Sequence, residues 1–173
     1  MVTIAERGPE VYHFHPAVLV SAVVLAIFFQ SALPVYFPFH ELLALFELPL
    51  LVVVYFGFSR RNPSTGLLLG LAVGVLQDAL SHSPIGLYGM PKTLVGYTAS
   101  SLTGRLDTDP PHARLLLLFG FYYFHQLIFV GVRWLLLGEG AEFISLTVLE
   151  AALVNSLLGM LIFLVLDRFR RTT

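Results

Sequence analysis

Residues 16–33, PAVLVSAVVLAIFFQSAL, contain no charged side chain, and comparable apolar runs recur along the rest of the chain. That pattern decides the solvent before it decides the fold. Hydrophobic residues make up 57% of the 173 positions and charged ones 12%, about half the charged share of an ordinary soluble domain. The mean hydropathy of +0.82 agrees. A water-soluble protein of this length could not enclose so much apolar surface in one core, so the surroundings must be lipid. In lipid every backbone N–H and C=O needs an internal partner, which leaves helices or a closed barrel. The runs are continuous and lack the alternation of barrel strands. The reading is therefore an all-α polytopic membrane protein.

Six transmembrane helices are predicted, at 16–33, 44–58, 66–80, 91–104, 114–137 and 145–167. The third and fourth are short for a hydrocarbon core about 30 Å thick. They form one membrane domain over 16–171, behind a polar amino-terminal tail, 1–15. The first run is longer than a signal-peptide core and is read as a retained span. Arg7, Arg60, Arg61, Arg105, Arg114, Arg168, Arg170 and Arg171 all fall on one side of the six-span arrangement. By the positive-inside rule both termini are cytoplasmic. Tyr36, Phe37, Phe39, Phe46 and Trp134 suit the opposite interface, where aromatic rings collect. In "RLDTDPPHAR", Arg105 to Arg114, the Pro110–Pro111 pair is expected to stop a helix.

Several function classes drop out. The net charge of −1 and the lack of a basic stripe exclude a nucleic-acid footprint. Without cysteine there is no disulfide, thiolate nucleophile or Cys-ligated metal. His13 and His15 could clamp a metal, but two ligands make no site. No HExxH, GxSxG or GxxxxGK[ST] motif occurs, and Asp78, Ser81 and His82 in one loop do not make a triad. Neither catalysis nor a cofactor or metal is expected.

The stretch GLAVGVLQDALSHSPIGLYG carries the sharper signals. Gly66, Gly70, Gly74 and Asp78 recur every four residues, so they share a slowly drifting helix face. Small residues at this spacing let a second helix approach closely. That helix belongs either to this chain or to a partner. An aspartate at membrane depth is disfavoured by about 3 kcal/mol, and Pro84 and Gly86 then break the helix into an irregular turn. Two readings of Asp78 stay open, a pair with Lys92 at similar depth or an interfacial carboxylate beside a wet loop. Arg133 and Glu150 lie at comparable depths on the last two spans and form a candidate pair, with Arg133 alternatively reaching the headgroups. His125 and Gln126, and Asn155 and Ser156, are expected to make interhelical hydrogen bonds. Glu47, before Pro49, marks the wet start of the second span.

These residues resemble a family. "GLLLGLAVGVLQDALSHSPIGLYGMPKTLVGY", Gly66 to Tyr97, is similar to the glycine-rich span, Asp and Gly-containing loop of MreD, the rod shape-determining membrane protein family. "FFQSALP", "ELPLLVVVYFGFSRR" and "LVNSLLGMLIFLVLDRFRR" resemble the end of its first span, its second span and its last, with Asn155 in place. The likeness runs in order from about 16 to 171, and the polar tail departs from it. The resemblance implies a non-enzymatic subunit of the machinery for lateral peptidoglycan. It would sit in the bacterial inner membrane and bind the bitopic protein MreC. Through MreC it would meet the actin-like MreB, the polymerase RodA and its partner transpeptidase. It also implies a fold like the six-helix vitamin-binding subunits of energy-coupling-factor transporters. Gly70, Gly74, Asp78 and Gly86 match the family motif. With Gly66 and Pro84 they are the expected partner or packing surface, where a glycine-lined face receives MreC's span. The rival reading is a substrate-binding subunit of a vitamin or small-molecule transporter, with Asp78, His82, Lys92 and Arg133 lining an outward pocket. A lipid-handling role is a third.

Overall fold

The computed structural model describes residues 15–36, 45–59, 62–103, 105–106 and 110–169. Arg7, His13, Phe37, Phe39, Glu41, Arg60, Arg61, Arg170 and Arg171 lie outside them, as does nearly all of the polar tail. Among the described residues the chain forms six helices: α1 (Pro16–Tyr36), α2 (Leu48–Ser59), α3 (Pro63–Leu80), α4 (Gly89–Leu102), α5 (Pro111–Leu137) and α6 (Leu146–Asp167). No strand occurs among them beyond an isolated bridge between Thr103 and Leu106. The expected all-helical class is thus observed. Three helices, α3, α5 and α6, are long and apolar enough to cross a membrane. The apolar stretches of α1 and α2, Pro16–Ala32 and Leu48–Ser59, are shorter.

Local chemistry sets the helix ends. Asn62 caps α3, its side chain accepting from the Ser64 N–H, with proline in the first turn. Ser145 caps α6 by accepting from Val148 N at 3.2 Å. The Pro110–Pro111 pair begins a helix rather than stopping one. Pro111 takes the first position of α5, where its missing N–H goes unused. Gly138, with φ of 67°, closes α5 in the left-handed region.

The core is built around α2. Its sequence LPLLVVVYFGFS is apolar on every face, which suits a helix enclosed by others. It touches all five other helices, and its residues from Pro49 to Gly57 are buried. At 12 residues it is about 18 Å long, less than the hydrocarbon thickness. Its exposed backbone ends therefore need partners inside the protein.

The α3–α4 pair is the most intimate in the molecule, and the glycine row explains it. A Cβ on Gly74 would fall 2.6 Å from Gly89 Cα, one on Gly70 2.6 Å from the Lys92 carbonyl carbon, and one on Gly66 2.8 Å from Ser100 Cβ. The row is therefore filled by α4 of the same chain. This corrects the expectation that Gly66, Gly70 and Gly74 form a face open to a partner's span. The spacing required a close helix, and the short turn after Asp78 brings the next one back first.

Candidate functional site

Asp78 organises that turn. It is fully buried and accepts three backbone hydrogen bonds: Oδ2 from Gly86 N at 2.8 Å and Gly89 N at 3.1 Å, Oδ1 from Tyr88 N at 2.8 Å. Gly86 has φ of 103° and His82 φ of 52°, so the chain between α3 and α4 reverses through left-handed positions. Both readings of Asp78 from sequence are corrected. It is not paired with Lys92, and although Ser81, His82, Pro84 and Ile85 of the loop are exposed its carboxylate is not, because oriented N–H groups compensate its buried charge. Pro84 and Gly86 belong to this loop; Pro84 is exposed and Gly86 buried.

Lys92 has another partner. Fully buried on the first turn of α4, its Nζ lies 3.0 Å from Glu47 Oε2 and 3.3 Å from His125 Nε2. It also sits 4.7 Å from the centre of the Tyr88 ring. Glu47 was expected at a wet helix start; its side chain is only 13% exposed. The reason is that the amino-terminal end of α2 is held against α1 and α6: Leu45 to Leu48 are half-buried and Pro49 is buried. Asn155 Oδ1 accepts from Glu47 N at 2.8 Å, and its Nδ2 donates to Leu45 O at 2.6 Å and Ala151 O at 2.8 Å. Gln30, on α1, donates from Nε2 to Phe46 O at 2.8 Å and accepts from Leu48 N at 3.1 Å. Two amides from α1 and α6 thus satisfy a buried helix start, as backbone at membrane depth requires. The interhelical roles expected of His125 and Asn155 are observed, whereas Ser156 donates to Ala152 O within its own helix at 2.6 Å; Gln30 was missed, and Glu47 was singled out without its partner. Gln30 was legible only as a polar residue near the end of an apolar run.

Beside this cluster lies a cavity of about 280 Å³, lined among others by Glu47, Tyr88, His125, Phe129 and Arg133. The expected Arg133–Glu150 pair does not form. Arg133 Nη2 lies 2.9 Å from Glu139 Oε2 in the loop after α5, and Glu150 is exposed. The loop supplies a nearer carboxylate than the facing helix.

A second polar cluster lies toward the other end of α2. Arg114 Nη1 meets Asp167 Oδ2 at 2.6 Å, and Tyr55 Oη donates to Asp167 Oδ1 at 3.0 Å. The Tyr55 and Phe163 rings pack edge to face at 4.9 Å. This stitch ties the start of α5 and the end of α6 to the central helix. Among the described residues no group of three His, Cys, Asp or Glu side chains could hold a metal ion.

A family model described as rod shape-determining protein MreD matches residues 13–171. The chain belongs to the MreD family. No curated protein and no solved structure shows a significant match to it. Membership makes it a shape-determining protein, and α3, α5 and α6 give it helices suited to a membrane. The stretch that resembles the MreD motif, from Gly66 to Tyr97, is the α3–loop–α4 hairpin: glycines for close approach, Asp78 for the turn, Lys92 for the buried pair.

Proposed function

We propose that this MreD family protein is a non-enzymatic scaffold subunit in the bacterial inner membrane. It binds the single span of MreC and, through it, MreB, RodA and the partner transpeptidase during lateral peptidoglycan synthesis. The observation that carries this reading is the family match over residues 13–171. Six crossings, cytoplasmic termini and a fold like energy-coupling-factor substrate-binding subunits belong to the same proposal.

Because the glycine row is occupied by α4, the partner contact moves to the outer surface. A groove of about 290 Å³ runs between α1 and α6, with Ala22, Leu25 and Phe29 on one wall and Leu161 and Val165 on the other. α1 and α6 do not pack on one another, and a small residue at Ala22 lets another helix approach. The test is co-purification with MreC of variants Ala22→Trp and Leu161→Trp, which fill the groove from opposite walls. Several-fold weaker recovery with unchanged thermal stability supports docking there. Undiminished recovery moves the contact elsewhere.

The cavity beside Glu47 favours the rival transporter reading. Uptake of a substrate dependent on an energising ATPase would establish it.

A further inference from the structure

We propose that the cavity between the start of α4, the middle of α5 and the start of α6 is a binding site for a small amphipathic molecule carrying an oxyanion. Arg133 and His125 would hold the oxyanion, and Phe129 and Tyr88 its apolar body.

The Lys92–His125 contact fixes the position of a proton. A lysine ammonium only donates, so across the 3.3 Å contact with Lys92 the acceptor is His125 Nε2. The imidazole proton then sits on Nδ1. That atom is buried and has no hydrogen-bond partner, although the ring is only 2% exposed and lines the cavity. A buried donor without an acceptor is disfavoured, and among the described residues no side chain supplies one. A ligand oxygen would.

Charge points the same way. Glu47 also lines the cavity, but Lys92 neutralises it at 3.0 Å. Arg133 lines it too, and its protein partner, Glu139, is 57% exposed, so that pair holds the guanidinium only weakly. With Glu47 and Lys92 cancelling one another, Arg133 is the charge left to meet a ligand, and it favours an anion. The remaining surface is aromatic: Phe129 lies parallel to His125 at 6.1 Å and tilted to Tyr88 at 5.1 Å. At about 280 Å³ the space is just under the ~300–1,000 Å³ typical of ligand sites. Polar groups converging beside an apolar wall are the usual form of such sites. The oxyanion could arrive on a free molecule or on an anionic lipid headgroup.

The experiment uses the full chain in phosphatidylcholine nanodiscs, with phenyl phosphate as the soluble probe and benzyl alcohol as its neutral control. Phenyl phosphate is expected to raise the melting temperature while benzyl alcohol does not. Arg133→Gln should melt like the parent without probe and bind phenyl phosphate at least about tenfold more weakly. His125→Phe should weaken binding likewise; if that variant does not fold, Arg133→Gln decides alone. Nanodiscs containing phosphatidylglycerol distinguish the sources. A rise from that lipid, lost in Arg133→Gln and not increased by phenyl phosphate, assigns the oxyanion to a headgroup. A rise from phenyl phosphate alone assigns it to a free molecule. No rise with either, or equal rises in parent and Arg133→Gln, overturns the proposal. Neither result bears on MreC recovery.

Discussion

At the scale of single residues, buried charge is compensated in two different ways. Asp78 is held by backbone N–H groups, whereas Lys92 is held by a side-chain carboxylate and an imidazole. Their substitutions should therefore behave differently. Asp78→Asn turns a carboxylate oxygen into an N–H facing donors, and is expected to lower unfolding free energy by about 2–3 kcal/mol, read by denaturant unfolding in micelles. Lys92→Met leaves Glu47 uncompensated and should be destabilising by about 3–5 kcal/mol. Adding Glu47→Gln should recover most of that loss, and a double-mutant cycle measures the coupling. Asp78 and Lys92 were both conspicuous in the sequence as charges among apolar residues. Whether they pair with one another was left open by the sequence, because depth along a helix says nothing about which side faces which neighbour.

At the scale of elements, two joints matter. The α3–α4 joint rests on Gly66, Gly70 and Gly74, where even a methyl group would meet the facing helix. Gly74→Ala should be destabilising by about 1–3 kcal/mol and should reduce MreC recovery only in proportion to lost folded protein. A specific loss of MreC at full stability would return the row to a partner interface. The other joint is the buried start of α2. Asn155→Leu removes the partners of Glu47 N and Leu45 O, which should lower stability by about 1–3 kcal/mol for each buried group left unpaired. A smaller effect on thermal unfolding would mean that the segment relaxes to water. Helix positions were legible from apolar runs. The enclosure of α2 was foreshadowed by its uniformly apolar faces, but its partners Gln30 and Asn155 were not matched to it, since they lie on α1 and α6.

For the whole molecule, the two polar clusters hold α2 toward opposite ends. Asn155 and Asp167 are separated by about 18 Å along α6, one bound at the start of α2 and the other to Tyr55. An even number of crossings would place both chain ends on one side of the bilayer. Because the chain contains no cysteine, single cysteines introduced at Ala5 and Thr172 report this cleanly. Impermeant thiol reagents should label both or neither from a given face. Labelling from opposite faces would rule out the six-crossing arrangement and the docking surface proposed with it.

The sequence by itself determined the solvent, the helical class, the helix positions and the need for a close contact along the glycine row. Each of these follows from local rules: apolar run length, backbone satisfaction in lipid and residue size. Only the tertiary structure decided that α4 fills the row, that Glu47 rather than Asp78 meets Lys92, and that Arg133 turns to Glu139. Those choices depend on how far each helix is rotated about its axis and where the chain turns back. Spacing along one strand of sequence carries no measure of either.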